Sequence, residues 1–369
     1  MNRRAIHLPM LVVVAASLVL GLWAALARIG WAASALNPTH VALHGPIMAA
    51  GVLGTLIALE RAVALAGVSE RRWNPAYIAP LLSAVGTVGI LVAGATVPAQ
   101  GLLVAGSGGL LVVGLAMLRT HPTLHVLAMA TGAAFLVLAN GAWALGWPIP
   151  LAVHWWMAFL VLTIVGERLE LARIRVLSPA GAALFAVVAS GYVLAELLTA
   201  WAPDPGVRLV GVAMIALAAW LLRYDIARLT IRRPGLPSFV AICLLAGYVW
   251  LAVAGAIAIA TGPVAAGPTY DALVHAVLLG FAFSMVFGHA PIIFPAIIGL
   301  PIRFHPALYL PLALLHLSVA ARIVGDLAND PAMRTQGGAM NVLAIALYAV
   351  MLDAGLVADR LRVRRAAAR

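Results

Sequence analysis

Histidines set inside long apolar runs are the residues of this chain best suited to chemistry. The run 38–61, PTHVALHGPIMAAGVLGTLIALER, carries His40 and His44 near one end and Glu60-Arg61 at the other. The run 149–168, IPLAVHWWMAFLVLTIVGER, repeats the plan with His154 and Glu167-Arg168. In 268–289, PTYDALVHAVLLGFAFSMVFGH, His275 stands early and His289 takes the place of Glu-Arg. Ionisable side chains within a membrane helix are costly, so each is a functional candidate. A neutral imidazole ligates haem iron, copper or zinc, and two of them on facing helices make a bundle-core cofactor site. The alternative for each is an interior histidine satisfied by a hydrogen bond.

The elements that must position these residues follow from composition. Hydrophobic residues make up 64% of the chain and charged residues 9%, against roughly 45–50% and 25% in soluble domains. The expected fold is therefore an all-α polytopic membrane protein. A span needs about 20 apolar residues, and breaks fall at Pro, Gly and Arg clusters. Twelve spans result, at 8–28, 39–64, 76–97, 99–118, 122–146, 149–171, 179–201, 206–224, 237–261, 269–290, 306–326 and 339–358. Arg3, Arg4 and the apolar run after them, ending near Ala33-Ser34-Ala35, have the outline of a signal peptide, but the run is too long for an h-region and reads as the first span. The Pro-rich stretch Pro291–Pro301 reads as irregular or interfacial.

All 23 basic residues are arginine, and the net charge is +11. Arg3, Arg4, Arg71, Arg72, Arg119, Arg168, Arg173, Arg175, the 223–233 loop, Arg303 and the 360–369 tail fall on one side of the twelve spans. The positive-inside rule then puts both termini in the cytoplasm of a bacterial inner membrane, and topology, not nucleic-acid binding, accounts for the charge. The single cysteine, Cys243, excludes an internal disulfide or a thiolate metal cluster. No span-free globular segment remains, so the chain is a single membrane domain in contact with lipid.

Spans 2, 6 and 10 hold the histidines, each second in a group of four. The expectation is three pseudo-symmetric four-helix arcs, approximately 1–120, 121–235 and 236–369, with TLIALER at 55–61 echoed by LTIVGER at 162–168. Internal symmetry of this kind places a site at the repeat interface. A rise of about 1.5 Å per residue puts His44, His154 and His275 in one layer, about 8–10 Å from the outer helix ends. His40, one turn earlier, fits a second ligand, a propionate partner or an interfacial histidine. His316 on span 11 is a candidate for a second metal or a proton path, together with His154. His121 and His305 read as interfacial, and His125 stays open.

Gly45, Gly51, Gly54, Gly280 and Gly288 leave room for a macrocycle or for a close helix neighbour. Trp155, Trp156, Phe281 and Phe283 suit either a cavity lining or core packing. At about 100° per residue, Glu60 lies about 160° around the helix from His44, and Glu167 about 140° from His154. Both carboxyls are thus expected to face away from the site and to lock helices through ion pairs, with proton uptake as the alternative. His289 lies about 21 Å deeper than His275 and cannot share its metal; it serves an inner site with His125 or a helix-end hydrogen bond.

The motif HGPIM at 44–48 resembles the second helix of haem-copper oxidase catalytic subunits, and HAVLLGFAFSMVFG at 275–288 resembles their tenth. That family has twelve helices in three arcs. The resemblance implies His44 and His275 as the axial ligands of a low-spin haem b, with Gly45 and Met48 beside the first. The chain departs from the family at Leu273, where a second haem ligand is expected, at 179–201, which holds no histidine, and at Ala158, which replaces a Tyr or Glu. These departures argue against an oxygen-reducing haem-copper centre. In span number and in its histidine-plus-glycine helices the chain more closely resembles the NnrS family, haem- and copper-containing membrane proteins associated with nitric oxide stress, or an uncharacterised relative of it. The function expected is electron transfer or a nitric oxide response, with a redox partner or quinol and a second metal, such as copper, near His154 and His316. A proton-coupled transporter using the histidines, Asp271 and the Glu-Arg pairs is the alternative, and a subunit anchoring a redox complex is a third. Oligomeric state is not legible.

Overall fold

The computed structural model describes residues 3–31, 37–67, 74–172, 177–298 and 304–367. Among them all regular structure is helical, and twelve helices are long and apolar enough to cross a membrane. They are α1 (His7–Arg28), α2 (His44–Ala66), α3 (Pro75–Ala93), α4 (Val97–Thr120), α5 (Leu124–Ala144), α6 (Ile149–Ala172), α7 (Pro179–Leu198), α8 (Pro203–Tyr224), α9 (Leu236–Thr261), α10 (Gly267–Pro295), α11 (Pro306–Leu327) and α12 (Pro331–Leu352). The chain is a multi-pass membrane protein whose outer helix faces suit lipid contact. The arginines at 71–72, 173–175 and 303 and the 33–35 motif lie outside the described residues.

Local chemistry sets the helix ends. Pro179 and Pro203 occupy first turns, where a missing N–H costs nothing. Ser178 caps α7 by accepting from the Gly181 amide at 3.1 Å. Gly94 and Gly262 end α3 and α9 with φ of 78° and 66°, which a Cβ would strain.

The three histidine-bearing spans form the centre. The apolar windows of α6, α10 and α2 are 83%, 72% and 67% buried, ahead of the next span at 61%. Helix α6 packs against the start of α2 and the middle of α10, and the far halves of α2 and α10 touch each other. Trp156, fully buried on α6, donates to Asn140 on α5 at 2.8 Å, and Trp155 donates to the Glu196 carbonyl of α7 at 3.1 Å. These two, with Phe281 and Phe283, are packed core residues.

Two features depart from the sequence expectation. The stretch from Pro291 to Ile298 is helical, continuing α10 as Ser284–Ile298, and the rest of the expected irregular stretch lies outside the described residues. Pro291 removes the N–H that would bond the Phe287 carbonyl. That carbonyl instead accepts from the Tyr348 hydroxyl of α12, whose ring stacks on Phe287 at 3.8 Å. A proline inside a span is tolerated where a neighbouring helix satisfies the freed carbonyl in this way. The last span begins at Pro331, eight residues before the expected 339, because Asp330 caps it by accepting from the Ala332 and Met333 amides at 3.0 Å.

Candidate cofactor site

His44 and His275 each stand beside a stretch of π-helix. On α2 the wide turns run Ile47–Gly54, and on α10 they run Ala276–Phe283. Such turns are rare and cluster at functional sites, because the extra residue re-aims the side chains around it. Both imidazoles are half-buried and anchored in the same way. His44 Nδ1 lies 2.9 Å from the Gly21 carbonyl of α1, and His275 Nδ1 lies 2.8 Å from the Asp271 carbonyl. A carbonyl only accepts, so Nδ1 carries the proton in each ring and Nε2 keeps its lone pair. That is the tautomer an Nε2 metal ligand requires.

The surroundings carry charge. The Asp271 carboxylate sits 3.3 Å from His275 Nδ1 and accepts from Arg322 at 2.6 and 2.8 Å. Asp326, fully buried on α11, acts electrostatically on Asp271, and its nearest cation, Arg334, is 3.9 Å away. Arg322 is thus taken by the Asp271 carboxylate beside His275, and Arg28, at the end of α1, donates to the Val41 carbonyl three residues before His44 at 3.3 Å.

The residues present fit a bis-histidine haem in donor set alone: two imidazoles on α2 and α10, each with Nδ1 on a carbonyl and an Nε2 lone pair left over. Gly45 gives the clearest opening, since a Cβ there would meet only Ile149 Cγ2, at 3.7 Å. The other glycines serve helix packing. Gly51 faces Thr87, Gly54 faces Leu136, Gly280 lies against the Trp250 ring and Gly288 against Cys243. Met48 is buried with its sulfur against Gly21, the residue whose carbonyl holds His44, so it packs behind that contact.

The other histidines separate. His40 places Nε2 at 2.7 Å from the Leu91 carbonyl of α3, leaving a buried, unpartnered Nδ1. His154 is buried with Nδ1 unpartnered, and lines a cleft of about 200 Å³ with Trp147, Thr199 and Val207. His316 lies elsewhere, in a closed chain of hydrogen bonds. Trp250 donates to its Nδ1 at 3.0 Å, so Nε2 carries the proton and faces Ser284 Oγ at 3.4 Å, whose own proton goes to the Cys243 carbonyl at 2.6 Å. In this arrangement both nitrogens of His316 are engaged in hydrogen bonds, whereas His154 keeps an unpartnered Nδ1. Among the described residues no group of three or more His, Cys, Asp or Glu side chains is arranged to hold a metal ion.

At the opposite end of α2, α6 and α10 the acidic and basic residues pair across helices. Arg61 of α2 bonds to Glu167 of α6. Arg168 bonds to Asp225 at 2.8 Å, and Asp225 also accepts from Tyr248 at 2.7 Å and from the Ala227 amide at 2.7 Å. The expected locking of helices is thus present, with partners that sequence adjacency did not indicate. Glu60 makes no hydrogen bond or ion pair among the described residues. Glu60, Glu167 and His289 line one cleft of about 590 Å³ at this end of the three central spans, with Arg61 and Arg168, and Ile226, Thr230 and the start of α9 close its other side. Both glutamates are expected to face away from the histidine site, and the cleft they share includes none of His44, His154 and His275. His289 holds Nδ1 2.8 Å from the Met285 carbonyl and turns Nε2 toward Arg168, 3.4 Å away, not toward a shared metal with His125.

Sequence reasoning underrated Asp271 and missed Arg322 and His7. The signal for Asp271 was its i,i+4 relation to His275. His7 is buried, with its ring nitrogens 3.0 Å from the Ile297 carbonyl and 2.8 Å from the Tyr77 hydroxyl, and ties α1 to α10 and α3. No local pattern foretold that.

Residues 7–356 match a family described as Domain of unknown function (DUF8744). The chain belongs to the DUF8744 family. Searches of curated proteins and of solved structures found no match.

Proposed function

We propose that this DUF8744 protein binds haem b between His44 and His275 in the bacterial cytoplasmic membrane and acts in electron transfer or the nitric oxide response, without an oxygen-reducing haem-copper centre. One observation carries the reading. Two histidines on separate, centrally packed spans, each beside a π-helical stretch, both keep Nδ1–H on a carbonyl and leave Nε2 free to ligate.

Bound haem would supply one-electron redox chemistry at its iron. The chain's own groups do the rest. The Gly21 and Asp271 carbonyls fix the ring orientations, the Asp271 carboxylate stands 3.3 Å from His275 Nδ1, and Arg322 holds that carboxylate in place. An electron donor, a redox partner protein or quinol, belongs to the same proposal.

The test is optical. Protein purified from haem-replete cells is expected to show a sharp reduced α band and a low-spin Soret band, with one haem per chain. His44→Ala and His275→Ala should each abolish that spectrum while the folded, monodisperse protein persists. A colourless wild type would end the reading. The second reading, a proton-coupled transporter without a prosthetic group, draws on the cleft at the other end, where Glu60 has no hydrogen bond or ion pair among the described residues. Substrate-dependent proton flux by haem-free protein in liposomes would favour it.

A further inference from the structure

The cleft at the Glu60 end is built unlike the histidine site. Its mouth is charged and its depth is apolar. Six titratable groups line it: Glu60, Arg61, Glu167, Arg168, Glu170 and His289. Arg61 is taken by Glu167 and Arg168 by Asp225. His289 turns an acceptor nitrogen toward Arg168. Glu170 lies on the outer rim, 53% exposed and 3.9 Å from His125. Glu60 is left as a carboxyl with no hydrogen bond or ion pair among the described residues.

Glu60, Glu167 and His289 also border a second, apolar slot of about 70 Å³ between α2, α6 and α10, walled by Leu53, Leu160, Ala282 and Met285. Among the described residues both cations at the mouth are already paired, and Glu60 inside and Glu170 on the rim are not paired to an arginine, so an anionic ligand would meet net repulsion from them. A neutral polar ligand would leave the Glu60 carboxyl without a counter-ion. A cation with an apolar body satisfies both parts, with its charge at Glu60 and its body in the slot.

We propose that this cleft binds an amphipathic organic ammonium ion, with the ammonium group on the Glu60 carboxylate and the hydrocarbon part between α2, α6 and α10. Glu167 and the His289 ring stand within the same mouth and shape the ammonium site. The proposal is independent of the haem reading, because the slot is lined by the far halves of the central spans and includes neither His44 nor His275.

The test is calorimetric titration of the whole protein in an uncharged maltoside detergent near neutral pH, with and without haem. The probes are phenethylammonium, its neutral isostere 2-phenylethanol and the anion 3-phenylpropanoate. Saturable binding of one phenethylammonium per chain is expected, at least ten-fold tighter than the alcohol, with no measurable binding of the anion. Glu60→Gln should bring the amine down to the affinity of the alcohol, while Glu170→Gln on the rim changes it less than three-fold. Absence of saturation, equal binding of amine and alcohol, or an unchanged affinity in Glu60→Gln would each overturn the proposal. So would a Glu60 carboxyl that titrates in infrared difference spectra without any amine binding, since that marks a site for protons and water alone. The probe series on the wild type stands as a test even if Glu60→Gln fails to fold. Haem-free protein that still binds the amine separates this proposal from the cofactor reading.

Discussion

Asp271 has two roles that one pair of variants separates. Its carboxylate holds Arg322 through bonds of 2.6 and 2.8 Å and stands 3.3 Å from His275 Nδ1. The Arg322 side chain is only 6% exposed, so Asp271→Ala strands a guanidinium in the interior, a loss that costs about 3–5 kcal/mol when a buried pair is broken. Asp326 acts on the same guanidinium and offsets part of the stranded charge, which sets the expectation near the lower end, about 3 kcal/mol. In the same variant His275 keeps the Asp271 backbone carbonyl at 2.8 Å but loses the carboxylate. Removal of such an outer partner lowers affinity for the ligated group about 10–100-fold. The double variant Asp271→Ala/Arg322→Met removes both charges, and should recover most of the stability because an apolar replacement of a buried pair is close to neutral. It should not recover haem affinity. Reversible unfolding in mixed SDS micelles, followed by tryptophan fluorescence, reads the first quantity, and haem titration reads the second. If Asp271→Ala lies within about 1 kcal/mol of wild type, Arg322 does not depend on this carboxylate. If the double variant regains haem affinity along with stability, Asp271 has no positioning role toward His275.

Further outcomes follow from single contacts. Tyr348→Phe leaves the Phe287 carbonyl without its donor opposite Pro291 and should cost about 1–3 kcal/mol in the same unfolding assay. Asp225→Ala removes the acceptor for Arg168, Tyr248 and the Ala227 amide, and should cost about 3–5 kcal/mol, the largest loss among these variants. A Cβ on Gly211 would stand 2.5 Å from the Gly255 carbonyl oxygen, so Gly211→Ala should push α8 from α9 and cost about 1–3 kcal/mol. His316→Ala should leave metal content by mass spectrometry unchanged while lowering stability through the unpaired Trp250 N–H.

Hydropathy alone determined the number of spans, because crossing a bilayer demands about 20 apolar residues whatever the neighbouring helices do. The sequence also singled out α2, α6 and α10, since an ionisable residue in an apolar run is conspicuous wherever the run packs, and these prove to be the three most buried spans. What lay beyond it were the interactions made between distant residues. Arg61 and Glu167 are 106 positions apart, and Tyr348 and Phe287 are 61 apart; nothing near either partner encodes the other. The π-turns at Ile47–Gly54 and Ala276–Phe283 keep the composition of an ordinary apolar helix and so left no mark in periodicity, yet they rotate the residues after them. His316 and His275 looked alike as residues. Only their neighbours, a donating indole in one case and an accepting carbonyl in the other, decided which ring keeps a lone pair to offer.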